Sequence, residues 1–260
     1  MVVREVDSSQ DHILKMDDKK VKSIVKENYS KIASSKRCSC SCSNAEQISK
    51  SIGYSNEEIN NVPEANLGLG CGNPTALASI KQGDVILDLG SGAGFDAFLA
   101  SKKVGESGKV IGVDFSEKMI KKAENNAEKY GYKNTEFKLG DIEELPVEDN
   151  SIDVIISNCV INLAPNKKKV FEESYRVLKN GGKMFVSDIV LLGELTEEQR
   201  SDERLISGCV AGAIQKEDYV GLMKDAGFEV EIIGEDKDIS KRQYTGISLE
   251  SLKIKAIKGQ

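Results

Sequence analysis

Two hydrophobic rhythms alternate along this chain. Val85-Ile86-Leu87-Asp88-Leu89 places four apolar residues in five, the pattern of a strand buried on both faces. Glycine then recurs at every second position (Gly90, Gly92, Gly94), and Phe95-Asp96-Ala97-Phe98-Leu99-Ala100 opens a helix. Further strands are predicted at Lys109–Asp114, Phe137–Ile142, Ser151–Asn158 and Gly181–Asp188, with a helix over Lys167–Leu178 before the last. Strand following helix in this way is the doubly wound pattern. Thr196–Gly208 and Gln215–Ala226 read as helices. Phe228–Ile233 and Leu252–Ile257 alternate apolar and polar, so they are predicted as the last two strands, at an antiparallel edge. Upstream, Val21, Ile24, Val25, Tyr29 and Ile32 share one face of a helix over Lys19–Ser34. Lys36–Ser43 is predicted to be irregular, Asn44 to cap a helix reaching Gly53, Ser55 to cap a short turn, and Pro74 to start a helix over Thr75–Ile80. Three segments follow: a helical, Cys-rich stretch over 1–80, a ligand-binding core over 81–190, and a closing segment over 191–260 that carries the last strands and covers the site. No internal repeat is visible.

The glycine turn carries the first chemistry. Glycine there lets the backbone bend sharply and lets a ligand approach closely, and the helix behind it turns its positive end to the gap. A dinucleotide site wants G-x-G-x-x-G, with its third glycine where Phe95 stands. What stands instead is D-x-G-x-G-x-G led by Asp88. An acid also ends the second strand, Asp114, where a carboxylate could grip a ribose diol, and another the third, Asp141. Each Asp alone could equally be a solvated strand end. The pattern resembles the first motif of Rossmann-like S-adenosylmethionine methyltransferases. That resemblance implies an α/β, class I methyltransferase fold, with a seven-stranded, mostly parallel sheet and N- and C-terminal appendages. It implies S-adenosylmethionine held by Asp88, Gly90, Ser91, Gly92, Gly94 and Asn158. Asp114 and Phe115 would lie at the ribose, and Met119, Asp141 and Ile142 around the adenine.

Composition narrows the partners. A net charge of −6 leaves no basic footprint for nucleic acid, and no apolar run approaches the roughly 20 residues of a membrane span. No signal-like segment opens the chain, which points to the cytoplasm and to six reduced cysteines. The single histidine, His12, falls in a polar leader and reads as solvated, so neither a Ser-His-Asp nor a Cys-His mechanism has an evident base.

The cysteines indicate the substrate. Cys159 sits just past the fourth strand, at the carboxyl-end crevice where open parallel sheets bind ligands. Cys71 and Cys209 lie in glycine-rich segments. Cys159 and Cys209 could each be small buried apolar residues; together the three thiols suggest a soft-ion site. Zinc would want four ligands, usually with a C-x-x-C pair, and these cysteines are isolated. Three thiolates suit As(III), whose lone pair is itself a nucleophile and needs no base. The stretches Leu67–Leu77, Asp84–Asp96, Asp141–Leu163, Gly181–Val190 and Cys209–Ala213 resemble the prokaryotic arsenite S-adenosylmethionine methyltransferases over residues 45–230. That resemblance implies arsenic held by Cys71, Cys159 and Cys209. It implies a further thiol among Cys38, Cys40 and Cys42, with Cys42 preferred. It also implies reduction of As(V) after each transfer, leaving a disulfide for thioredoxin or glutathione to reopen. The alternatives are a quinone- or sterol-like C-methyltransferase, a non-catalytic arsenical sensor, and a zinc-stabilised structural protein.

Overall fold

A computed structural model describes residues 17–34, 39–244 and 246–259, with the side chains of 39–43 and of Leu77 outside the description. Within it, Val85–Leu89 (β1), Lys109–Asp114 (β2), Thr135–Leu139 (β3), Ile152–Asn158 (β4), Leu178–Leu191 (β5), Phe228–Asp236 (β6) and Leu249–Lys258 (β7) form one sheet. Its order is β3-β2-β1-β4-β5-β7-β6. Strands β1 to β5 run parallel, and β7 lies antiparallel between β5 and β6. Ile86, Leu87 and Leu89 of β1 are 0% exposed because helices cover both faces of the sheet centre. The strand order reverses between β1 and β4. A crevice therefore opens beyond Leu89 and Asn158, the usual ligand position in such sheets.

The helices are Asp18–Ser34 (α1), Ser39–Ser51 (α2), Asn56–Ile59 (α3), Pro74–Leu77 (α4), Phe95–Val104 (α5), Glu117–Tyr130 (α6), Lys167–Val177 (α7), Glu197–Ser201 (α8), Glu203–Ser207 (α9), Lys216–Asp225 (α10) and Ile239–Arg242 (α11). Ser55 caps α3 in a full capping box with Glu58. Several expectations are corrected. The stretch predicted as irregular includes the first residues of α2, and Asn44 lies inside that helix rather than capping it. Ala45, Ile48 and Ile52, spaced three and four apart, pull the segment into helix by packing inward. The helix expected over Thr196–Gly208 breaks in two at Asp202, whose side chain accepts the Arg204 N–H at 2.8 Å and so starts α9 afresh. Strand β3 ends at Leu139, leaving Asp141 in a turn bridged to Glu144. Strand β5 starts at Leu178 and continues to Leu191, where β7 pairs with it. The sheet thus draws two strands from beyond residue 190. His12 and Cys38 lie outside the described residues, as do the side chains of Cys40 and Cys42.

Candidate active site

The crevice is a cavity enclosing about 1100 Å³ of atom-free space, mouth included. Asp88, Gly90, Ser91, Gly92, Asp114, Phe115, Asp141, Ile142 and Asn158 all line it, as does Cys159. Gly90 stands at φ 65°, and a Cβ there would strike the Val160 side chain, so the turn admits only glycine. Gly94 and Met119, expected at the cofactor, do not line the cavity. Gly94 instead caps α5 at φ 92°, and Met119 is 0% exposed on the inner face of α6. Asp114 Oδ2 accepts the Gly92 N–H at 3.0 Å and Oδ1 accepts Ser116 N–H at 2.8 Å, which locks the carboxylate at the tip of β2. Asp141 accepts Lys22 Nζ at 2.7 Å, so α1 forms a wall of the same cavity.

Three buried carboxylates meet here. Burial pushes Asp88 well above its ordinary value, reinforced by Asp96 and Asp114, and Asp88 Oδ2 has no hydrogen-bond partner. Asp96 is pushed up to about 6 by burial, against hydrogen bonds from Tyr54 and Asn158. Asp114 is also pushed up to about 6 by burial, against the Ser116 and Gly92 amides. Among the lining residues, Lys22 at the rim is the only cation. Such a pocket suits a positively charged ligand, because one would relieve the repulsion among these groups.

The thiols converge around Cys159. One ligand atom from each of Cys71, Cys159 and Asp188 lies within 4.8 Å of the others. Cys209 Sγ donates to the Cys159 carbonyl at 2.7 Å and contacts the Cys159 thiol. All three cysteines are free and buried. Cys159 (φ 57°) and Cys209 (φ 67°) are two of the three non-glycine residues with positive φ among those described. This costs each roughly 1–2 kcal/mol, a strain of the kind that gathers at functional sites. A Cβ on Gly212 would collide with the Asn162 carbonyl, so glycine allows the Cys209 loop to lie against the Cys159 loop. Burial pushes the Cys71 thiol up. At Cys159 the Cys209 hydrogen bond acts downward, but Cys71 and burial outweigh it. The Cys159 hydrogen bond and burial raise Cys209. All three shifts point upward, which favours the protonated thiols.

Asn158 ties the two ends together. Its Nδ2 donates to the Gly72 carbonyl (2.9 Å), the Tyr54 hydroxyl (2.9 Å) and Asp96 Oδ2 (3.1 Å), while Oδ1 accepts the Cys71 N–H (3.1 Å). The Tyr54 hydroxyl in turn donates to Asp96 Oδ1 at 2.6 Å.

Residues 80–227 match the model of a methyltransferase domain, which covers more than half the chain. Among solved structures, an arsenic (III) S-adenosylmethionine methyltransferase from Chlamydomonas reinhardtii matches with a TM-score of 0.60 and 35% identity, over 82% of this chain and 73% of that one. The chain belongs to the arsenite methyltransferase family. An arsenite methyltransferase of Halobacterium salinarum is 44% identical over 85% of this chain and 61% of its own length. One from Aquipseudomonas alcaligenes is 40% identical over 66% and 51%. The chain thus spans about three fifths of the first of these relatives and half of the second. No helix among the described residues is long and apolar enough to cross a membrane.

Sequence reasoning missed several residues that the structure brings to the cavity or the thiols. Asp188 lies inside β5, which runs on to Leu191, but it closes the segment Gly181–Asp188 expected as a strand, so the rule that singled out Asp114 could have found it. Lys22 and Tyr29 of α1, Tyr54, and the buried Lys167 gave no local signal, because only tertiary packing brings them to the cavity or the thiols.

Proposed function

We propose that this chain methylates trivalent arsenic with S-adenosylmethionine, taking arsenite as a thiol complex, and that the methylated arsenicals serve detoxification. The observation that carries this reading is the gathering of Cys71 and Cys209 around Cys159, which itself lines a carboxylate-lined cavity. Two of its buried side-chain oxygens, Asp88 Oδ2 and Ser91 Oγ, lack a partner in the protein and fit a cationic, hydrogen-bonding cofactor. The residues present suit the cofactor: Asp88, with Ser91 and the Gly90 and Gly92 backbone, would hold its cationic end, Asp114 and Phe115 would hold the ribose, and Asp141 and Ile142 the adenine. When bound, S-adenosylmethionine supplies an electrophilic methyl group for the lone pair of the thiol-held arsenic.

The chain's own part is exchange, positioning and desolvation. Protonated thiols suit the exchange step. Each S–H hands its proton to the departing thiolate of the arsenic–thiol complex as the S–As bond forms, so the balance needs no base. Cys159 and Cys209 hold the substrate in the left-handed loops, with Cys71 as third ligand. Burial keeps water from the lone pair, and fixed placement supplies much of the acceleration. Each transfer raises arsenic from As(III) to As(V). Cys71 and Cys42 then return two electrons to arsenic and become a disulfide, which thioredoxin or glutathione as external reductant reopens.

The test is to incubate the protein with arsenite, S-adenosylmethionine and a dithiol, then separate the arsenic species. Methylated arsenicals and S-adenosylhomocysteine are expected. Cys159→Ser and Cys209→Ser should each abolish the products while cofactor binding persists. Near wild-type turnover in both variants would overturn the assignment.

A further inference from the structure

The arsenic reading uses three sulfurs and leaves one member of the cluster idle. Asp188 stands at the carboxyl end of the parallel part of β5, 1% exposed, with a carboxylate oxygen inside the same 4.8 Å group as the Cys71 and Cys159 sulfurs. Its orientation is fixed by neutral donors. Oδ1 accepts Asn162 Nδ2 at 2.8 Å and the Ile189 N–H at 2.9 Å, and Oδ2 accepts the Tyr219 hydroxyl at 3.2 Å. Ligating carboxylates are held in this way by an outer shell of hydrogen bonds. A carboxylate oxygen has two acceptor positions, so Oδ2 retains one.

We propose that Cys71, Cys159, Cys209 and Asp188 form a site for a thiophilic divalent cation of the zinc–cadmium type, which binds in competition with arsenite and blocks the enzyme. Trivalent arsenic makes three bonds and keeps a lone pair, so it has no use for a fourth donor. A zinc-like cation takes four ligands in a tetrahedron, and sulfur with carboxylate oxygen is an ordinary set for it. Sulfurs bound at about 2.3 Å from one centre stand roughly 3.8 Å apart, so Cys71, Cys159 and Asp188, within 4.8 Å of one another, must tighten by up to about 1 Å, and Cys209, outside that group, must rotate in from the Cys159 carbonyl. The sulfurs are carried on loops, which lets the side chains close. Binding moves no electrons: the cation displaces the three thiol protons to solvent and accepts four lone pairs. Lys167, buried at 6% exposure with Nζ donating to the Ala164 carbonyl at 3.2 Å, lies close enough to Asp188 and Cys209 to offset part of the excess negative charge.

Only the competition clause rests on the methyltransferase reading; cation binding does not. The experiment titrates the reduced full chain with Cd²⁺, following the thiolate-to-cadmium charge-transfer band, and with Zn²⁺ against a colorimetric chelator. Arsenite retained after desalting is measured on the same samples. One equivalent of either cation should bind wild type and release bound arsenite. In Asp188→Asn, affinity for Zn²⁺ should fall at least about tenfold relative to affinity for arsenite, whereas Cys71→Ser should weaken both. X-ray absorption of the zinc-loaded wild type should show three sulfurs and one oxygen, which keeps the proposal testable should Asp188→Asn fail to fold. An unchanged zinc-to-arsenite ratio in Asp188→Asn, or a zinc shell without oxygen, would overturn it. Cation binding by a protein that makes no methylated arsenic would sink the functional reading and leave this site standing.

Discussion

Replacing Asn158 with alanine tests whether the cofactor cavity and the thiol cluster act as one unit. The truncation removes the acceptor of the Cys71 N–H and the donor to the Gly72 carbonyl, and both groups lie in a buried loop. It also takes a hydrogen bond from Asp96, leaving Tyr54 as that carboxylate's remaining side-chain donor. Each orphaned buried group costs about 1–3 kcal/mol, and loss of a bond to a carboxylate about as much; relaxation of the loop returns part of this. A net loss of about 3 kcal/mol follows. For a chain of this size it lowers the melting temperature by roughly 6–12 °C, yet leaves a folded protein, given a usual stability of about 5–15 kcal/mol. The Ser251 hydroxyl still donates to the Cys71 carbonyl at 2.8 Å, so the loop should loosen without leaving. A displacement of Cys71 by about 1 Å should reduce kcat/KM for arsenite by about 10²-fold. Thermal melting and initial rates of S-adenosylhomocysteine formation read the two effects separately. A melting temperature within about 2 °C of wild type, with kcat/KM within about threefold, would refute the reasoning.

Other expectations follow from the same geometry. Gly90→Ala should abolish cofactor binding, measured by calorimetry, because its Cβ meets Val160 at a positive φ. Cys71→Ser should lose the first methylation and keep a later one, since two thiols can still hold a monomethylated arsenic; product speciation decides this. Asp96 and Asp114 are both raised to about 6 from near 4, so their contribution to folding is full below about pH 4 and is lost as pH rises through 6. The ligand-free protein should therefore melt lower at pH 7.5 than at pH 5.5. A cationic cofactor should narrow that gap, and its affinity should rise across the same interval with proton release, a trend that calorimetry in two buffers would detect or exclude.

The local signals were strong where the physics is local. Four apolar residues in five around Asp88, the glycines after it, and the acids at Asp114 and Asp141 announced the crossing strands and the crevice, because strand burial and turn conformation depend on neighbours a few residues away. The isolated cysteines without a nearby histidine suggested a soft centre, although Cys159 and Cys209 alone could each have been small buried apolar residues. Helix ends were less so: packing of Ala45 and Ile52 moved the start of α2, and the Asp202 side chain split one expected helix. What tertiary structure alone decided is the meeting of Cys71, Cys159 and Cys209. It depends on the strand order that sets β5 beside β4, on two cysteines held at positive φ, and on Asn158 clasping a loop far from it in sequence. Asp188 beside the sulfurs, α1 along the cavity and the upward pKa of the thiols belong to the same class. Each arises from burial and convergence of distant segments, which no short window of sequence contains.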